Sequence, residues 1–215
     1  MRFEEFRAGA GKQKYTNYMA MCFSKVSIRL SYVLVHTSIT PNQVTLISTA
    51  VGFCGAAMLG YPSYWIRILG VAVWFVAFVL DFCDGEIARY KDMKSDYGHW
   101  LDSVTDRAKD LVLFTAITTQ TFWQTRAPWV LWVGLLALGG TLLHAYAISY
   151  GYKATERSAP GGPLTKFGQM HYALLAVFAV LNYLQIYLLI VALTSLGDVA
   201  VNIYISWKTN AERSK

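Results

Sequence analysis

Acidic side chains gather in one short stretch of this sequence, and they are the residues best suited to chemistry. Of the 13 Asp and Glu residues, eight lie between positions 81 and 110: Asp81, Asp84, Glu86, Asp92, Asp96, Asp102, Asp106 and Asp110. Ligation by oxygen alone favours hard cations such as Mg²⁺ or Mn²⁺, and one or two ions would balance four carboxylates. Two ions can hold the attacking and leaving oxygens of a phosphoryl displacement. The stretch therefore predicts a divalent-cation site for phosphoryl chemistry.

The spacing of four of these aspartates places them on helix faces. Asp81 and Asp84 are three residues apart at the end of one apolar stretch, whereas Asp102 and Asp106 are four apart at the start of the next. Residues at both separations share a face of an α-helix. A short connection lets the two helices run antiparallel, so the four carboxylates can converge. Acids beside lipid are costly without a task, which favours a functional role for these four.

Ion pairing is the competing interpretation of the acidic stretch, because basic residues lie within it: Arg89, Lys91, Lys94, Arg107 and Lys109. For Asp92 and Asp96, in the predicted connection, and for Asp110, we expect structural ion pairs.

The elements that carry these acids are apolar enough to cross a membrane. The 215 residues are 55% hydrophobic and 15% charged, whereas a soluble domain has about a quarter of its residues charged. Six windows approach the roughly 20 apolar residues that a span needs: 42–60, 64–89, 98–123, 128–150, 167–183 and 187–207. The stretch 15–36 mixes basic and apolar residues, which suits a helix in the membrane interface.

These patterns predict an all-α integral membrane protein with six transmembrane helices after an N-terminal interfacial amphipathic helix. Residues 1–36 would form the cytoplasmic N-terminus with that helix, and residues 37–215 the membrane domain. With six spans, 15 of the 19 Lys and Arg residues fall on one side and only Arg67 and Arg126 on the other. Cytoplasmic loops collect such residues, so we expect both termini and the acidic site to face the cytoplasm at the cell membrane. Because the basic residues flank apolar segments, the net charge of +6 does not indicate nucleic acid.

The acidic stretch also resembles a known family. From Asp81 to Asp106 it reads D-F-C-D-G-E-I-A-R, eight residues, and G-H-W-L-D-S-V-T-D. This resembles, at every fixed position, the signature of the CDP-alcohol phosphotransferases, D-x2-D-G-x2-A-R-x8-G-x3-D-x3-D. The resemblance implies a metal-dependent membrane enzyme of phospholipid synthesis that moves a phosphoalcohol group to a hydroxyl and releases CMP. It also implies a homodimer.

The resemblance implies roles for individual residues. The metal ligands would be Asp81, Asp84, Asp102 and Asp106, and Asp106 would also be the general base on the acceptor hydroxyl. The CDP-alcohol would contact Asn42, Thr45, Asp81, Gly85, Ala88, Arg89 and Ser95. For Asn42 and Thr45 a simple helix cap is an equal alternative. A lipid donor, CDP-diacylglycerol or a related CDP-lipid, suits six spans around a polar site.

The acceptor stays open between inositol phosphate, glycerol phosphate and serine. A phosphorylated acceptor would want basic side chains, and the candidates are Arg107, Lys153, Arg157 and Lys166. Residues 27–45 look like family members that make inositol-phosphate diesters, yet the sixth window has no Lys or Arg before Lys208. Asp198, in that window, could meet an amine or hydroxyl of the acceptor or pair with a neighbouring helix.

A divalent-cation transporter or metal-binding membrane protein is the alternative of a different class, because intramembrane acids also mark ion pathways. A pathway needs polar groups across the whole bilayer. The acids here stay near one face, which favours the enzyme.

Overall fold

The computed structural model describes residues 2–10, 18–155 and 170–213, and all secondary structure in these ranges is helical. The helices are α1 Phe3–Ala10, α2 Tyr18–Leu34, α3 Pro41–Leu59, α4 Tyr64–Tyr90, α5 Asp96–Thr125, α6 Trp129–Thr155, α7 Met170–Val180 and α8 Leu184–Arg213. The predicted all-α class is confirmed.

Helix α3 begins at Pro41, one residue before the predicted window 42–60, because Thr40 and Pro41 favour a helix start. Thr40 is the N-cap: its Oγ1 accepts from the Gln43 amide at 3.4 Å, and Gln43 Oε1 accepts from the Thr40 amide at 2.9 Å. This capping box satisfies two amides that no helix carbonyl can reach. The N-cap is therefore Thr40 and not Asn42 or Thr45, although Thr45 Oγ1 also satisfies a backbone group by donating to the Pro41 carbonyl at 3.2 Å.

Glycines bring α3 and α4 into close contact. A Cβ on Gly70 would lie 2.9 Å from the Leu59 backbone nitrogen, and one on Gly55 would lie 2.9 Å from the Trp74 nitrogen. Small residues allow backbones to approach this closely, and apolar helices use them at their interfaces. The contact fixes the register between the two helices, on which the functional site depends.

Helix α2 packs along α4, whereas the sequence predicted an interfacial helix over residues 15–36. The Phe23 ring lies 5.5 Å from Phe75. Further along, the hydroxyls of Ser27 and Ser31 both donate to the buried Glu86 carboxylate at 2.7 Å. The predicted helix is present, and a buried hydrogen-bonded face attaches it to α4.

Four helices in the described ranges are long and apolar enough to cross a membrane: Pro41–Leu59, Tyr64–Tyr90, Trp129–Ile148 and Leu184–Lys208. Large apolar side chains such as Trp65, Leu135 and Leu193 lie exposed on them, as lipid contact requires. Helix α5 is not in this set, since its first half is charged and its second half contains several Thr and Gln residues, and α7 has only 11 residues. The multi-pass membrane class is confirmed, and the six-span count stays a prediction.

The chain divides into two compact units, Met1–Leu113 and Phe114–Lys215. The first unit contains the whole signature and has a buried core that includes Val44, Cys83 and Ile87. In the second unit α6 and α7 pack against α8, and the Phe114 ring stacks on Tyr187 with centroids 6.3 Å apart. The proposed division into residues 1–36 and 37–215 stays a prediction.

Candidate active site

Hydroxyls of α3 hold the carboxylates of α4. Thr45 Oγ1 donates to Asp84 Oδ2 at 2.5 Å, and Ser48 Oγ donates to Asp81 Oδ1 at 3.2 Å. The two hydroxyl residues are three apart on α3, and the two aspartates are three apart on α4. Because the helices are antiparallel, successive turns of α3 place a hydroxyl beside successive carboxylates of α4. These bonds orient two of the predicted metal ligands. The sequence analysis did not predict Ser48 as a residue of the site. Its position one turn after Thr45 on an apolar helix is the signal that could have indicated this role.

Three of the four predicted metal ligands come together between α4 and α5. Asp81, Asp102 and Asp106 each offer a carboxylate oxygen, and the three oxygens lie within 4.8 Å of one another. A set of carboxylate oxygens at this separation fits a hard divalent cation such as Mg²⁺ or Mn²⁺. Asp84 lies outside this carboxylate trio, because its side chain turns to Thr45.

The Lys109 ammonium lies between two members of the carboxylate trio. Its Nζ contacts Asp81 Oδ1 at 2.5 Å and Asp106 Oδ1 at 2.8 Å, and its side chain is only 9% exposed. A Cβ on Gly52 would come within 3.2 Å of Lys109 Cδ, so this glycine gives the lysine stem its room. The ion pairs of Lys109 thus involve two of the carboxylates that a metal ion would also use. A divalent ion bound to both would compete with Lys109 for them.

The other predicted ion pairs have mixed outcomes. Arg107 Nη1 lies 3.3 Å from Asp110 Oδ2, and Asp110 is 2% exposed, so its expected structural pairing is confirmed. Arg107 Nη2 also lies 3.9 Å from Asp106 Oδ2. Asp92 and Asp96 are exposed, and neither forms an ion pair within the described ranges. Asp96 is instead the first residue of α5, where the positive end of the helix dipole stabilises an acidic side chain.

A cavity of about 260 Å³ adjoins the carboxylate trio. Its walls are Pro41, Asn42, Thr45, Asp84, Gly85, Ala88, Arg89, Met93, Lys94, Ser95, Gly98, His99 and Asp102. Six of the seven predicted CDP-alcohol contacts line it, and Asp81 does not. Asp102 belongs to both the cavity wall and the carboxylate trio.

Glycines shape the cavity wall. A Cβ on Gly98 would lie 3.2 Å from both Asn42 Oδ1 and Ser95 Oγ, and one on Gly85 would lie 3.2 Å from Arg89 Nη1. Larger residues at either position would crowd these polar groups. Ser95 Oγ also accepts from the Gly98 amide at 3.0 Å, which ties the cavity wall to the first turn of α5.

The structure describes only some of the candidate acceptor residues. Arg107 is engaged with Asp110 and does not line it. Lys153 lies in α6, and the candidates Arg157 and Lys166 fall outside the described residues. Asp198 is 4% exposed, and its Oδ2 lies 3.6 Å from Nδ1 of His144, which supports its pairing with a neighbouring helix.

The sequence matches the CDP-alcohol phosphatidyltransferase family over residues 38–197. This chain belongs to that family. A curated relative is the bifunctional IPC transferase and DIPP synthase of Aquifex aeolicus, with 27% identity over 86% of this chain. The match covers 42% of that relative, so this chain corresponds to less than half of its length.

Solved structures of a phosphatidylinositol phosphate synthase, Mycobacterium tuberculosis PgsA1, share the fold. The one with CDP-DAG bound has a TM-score of 0.72 and 19% identity, covering 85% of this chain and 94% of that protein. A second, in complex with manganese and citrate, has a TM-score of 0.68 and 20% identity, covering 84% and 88%. The manganese in that relative agrees with the divalent cation expected from the acidic signature.

Proposed function

We propose that this chain transfers a phosphatidyl group from CDP-diacylglycerol to a hydroxyl of an inositol phosphate and releases CMP. The observation that carries this proposal is the position of Asp102. It belongs both to the carboxylate trio and to the wall of the cavity that the predicted CDP-alcohol contacts line. A nucleotide in the cavity would place its phosphates beside those carboxylates. Such an arrangement serves phosphoryl transfer, in which positioning and charge neutralisation supply most of the rate.

The donor assignment rests on the chemistry of the cavity wall and its surroundings. Gly85 and Ala88 leave space for a flat base, and the Arg89 guanidinium can donate to phosphate oxygens. The exposed apolar surface of the spans suits acyl tails. PgsA1 with CDP-DAG bound has the same fold, which supports a CDP-lipid rather than a soluble donor.

The metal would be held by Asp81, Asp102 and Asp106, with Asp84 as the fourth ligand that the signature implies. When bound, a divalent cation supplies charge neutralisation for the phosphates and for the leaving CMP. Ser48 would hold the Asp81 carboxylate for this task, whereas Asp84, which Thr45 holds, would have to turn toward the trio to ligate the metal.

The chain's own residues carry the remaining steps. Asp106 would accept the proton of the acceptor hydroxyl, whose oxygen forms a bond to the β-phosphorus. The bond from that phosphorus to the bridging oxygen breaks, and the bridging oxygen leaves as part of CMP. Arg89 would hold the donor phosphates during the displacement.

The acceptor assignment draws on two independent likenesses. Residues 27–45 resemble members that make inositol-phosphate diesters, and PgsA1, a phosphatidylinositol phosphate synthase, shares the fold. The phosphate of the acceptor would be bound by basic residues from the set Arg107, Lys153, Arg157 and Lys166. Glycerol phosphate and serine are the competing acceptors. The cytoplasmic orientation at the cell membrane is proposed from the distribution of basic residues, and the homodimer stays a prediction.

The test is CMP release by the purified protein in detergent micelles containing CDP-diacylglycerol and Mg²⁺ or Mn²⁺. Inositol phosphate, glycerol phosphate, serine and inositol are supplied separately, and CDP-inositol replaces the lipid donor in one arm. We expect release only with inositol phosphate. The release should disappear in Asp106→Asn and in the presence of EDTA.

Release with another acceptor would refute the acceptor assignment and keep the transferase. Silence with every donor and acceptor, from folded protein that binds Mn²⁺, would refute the transferase. In that case Mn²⁺ uptake into proteoliposomes would test the transport alternative.

A further inference from the structure

The N-terminal helix α1 packs onto the C-terminal end of α4, the helix that contains the first half of the signature. Phe6 is fully buried, with its ring centroid 5.7 Å from Tyr32 of α2 and 4.9 Å from Tyr90 of α4. Phe3 adds a perpendicular contact to Tyr32 at 5.2 Å. Aromatic pairs at these separations stabilise beyond the area that they bury. Helix α1 is therefore attached within the first unit, which also contains the cavity lined by the predicted CDP-alcohol contacts, here called the donor cavity.

The C-terminal end of α1 meets Arg89. Arg89 Nε donates to the Ala10 carbonyl oxygen at 2.8 Å, and Ala10 is the last residue of α1 and fully buried. The last carbonyls of a helix have no partner within the helix, and that end has a partial negative charge. A guanidinium is the natural group to satisfy such a carbonyl.

Arg89 also lines the donor cavity, which adjoins the carboxylate trio. Nη1 of Arg89 lies 3.2 Å from the position that a Cβ on Gly85 would take, and both residues line the cavity. Arg89 is thus held at Nε by a backbone carbonyl, and the same residue lines the cavity. A free arginine side chain has many rotamers, and ordering it upon binding reduces affinity.

We propose that α1 is a positioning element of the donor site. Phe6 fixes α1 on Tyr32 and Tyr90, and the Ala10 carbonyl orients Arg89 before the donor binds. The inference rests on the proposed function, because it takes Arg89 as a contact of the donor phosphates. Ala10 and Phe6 act through Arg89 and touch no substrate.

The test compares Phe6→Ala with the wild type in both catalysis and equilibrium binding of CDP. Removing the ring frees α1, so we expect KM for CDP-diacylglycerol and Kd for CDP to rise about tenfold, with kcat within about twofold. Phe6→Leu should recover most of the affinity, since it refills the pocket. Glu4→Gln, at an exposed position of α1, is the matched control and should match the wild type.

A double-mutant cycle separates positioning from general loss of structure. A lysine ammonium has no rigid planar fork, so Arg89→Lys cannot hold the Ala10 carbonyl and present a fixed second donor to the cavity at once, while it keeps the charge. In that background Phe6→Ala should have little further effect on CDP binding. Equal losses of CDP affinity in both backgrounds, or an unchanged Kd in Phe6→Ala, would overturn the inference.

Failure of the two proposals can be told apart. If the wild type binds CDP but releases no CMP, the proposed transferase fails and the binding cycle still decides the role of α1. If the wild type does not bind CDP at all, both are overturned.

Discussion

Replacing Lys109 by methionine should separate the charge that stabilises the fold from the charge that serves the metal. The ammonium contacts Asp81 and Asp106 from a side chain that is 9% exposed. Removing one partner of a buried ion pair costs about 3–5 kcal/mol, because the remaining charges stay uncompensated. Asp106 is 34% exposed, so the lower figure applies and we expect a loss of about 3 kcal/mol in the free energy of unfolding in EDTA.

Divalent ions should reverse much of this loss. An ion bound to Asp81 and Asp106 would replace the missing positive charge, and in Lys109→Met it would no longer compete with an ammonium for these carboxylates. We expect Mn²⁺ to bind at least about tenfold more tightly than in the wild type, which corresponds to about 1.4 kcal/mol. Saturating Mn²⁺ should therefore raise the stability of the variant more than that of the wild type.

The assay is thermal unfolding followed by tryptophan fluorescence, with EDTA and with Mn²⁺, together with calorimetric titration of Mn²⁺. Lys25→Met, which removes an exposed lysine from α2, is the matched control and should change neither quantity. An equal loss of stability with and without Mn²⁺, or weaker Mn²⁺ binding in Lys109→Met, would refute the competition between lysine and metal.

Two further changes probe the framework around the site. Gly70→Ala should lower the free energy of unfolding by about 1–3 kcal/mol, because the new methyl group would lie 2.9 Å from the Leu59 nitrogen and separate α3 from α4. Ser31→Ala should cost about 1.5–3 kcal/mol, because the buried Glu86 carboxylate loses one of its two serine donors. Chemical denaturation in detergent measures both.

Each of these changes has a control within the chain. Gly139→Ala meets nothing within 4 Å and gains helix propensity, so it should be neutral or stabilising. Ser24→Ala removes a hydroxyl that donates only within its own helix, to the Met21 carbonyl, and should cost less than Ser31→Ala. Equal effects of a variant and its control would contradict the packing or hydrogen-bond argument concerned.

Most of the residues that the sequence predicts for the site lie together in the structure, although their roles stay predictions. Six of seven predicted donor contacts share one cavity, and three of four predicted metal ligands converge. Asp84 is the predicted metal ligand that lies outside the trio, because Thr45 of α3 holds its carboxylate. Spacing along one helix does not predict how α3 and α4 are aligned with each other. The start of α3 was predictable because Thr40 and Pro41 act locally.

Features that depend on contacts between distant segments could not be predicted. Helix α1 has eight residues, too few for a clear pattern, and its partners Tyr32 and Tyr90 lie far along the chain. The pairing of Lys109 with Asp106 is visible as a helix spacing of three, but its bond to Asp81 requires the register of α4 against α5. Glu86 occupies a variable position of the signature, so nothing in the pattern marked it as an attachment point for α2.

The distribution of partners among the acids indicates where a ligand enters the site. Four acids of the signature segment and its flank have buried or short-range partners within the described ranges: Asp81, Asp84, Glu86 and Asp110. Asp106 shares the Lys109 ammonium. The Asp102 carboxylate has no hydrogen bond or ion pair to another described residue, although it belongs to both the carboxylate trio and the cavity wall. A partly buried carboxylate that no other described side chain satisfies is available to water, to a cation or to a donor group of a ligand. The cation and the nucleotide should therefore meet at Asp102, which links the two halves of the proposed reaction.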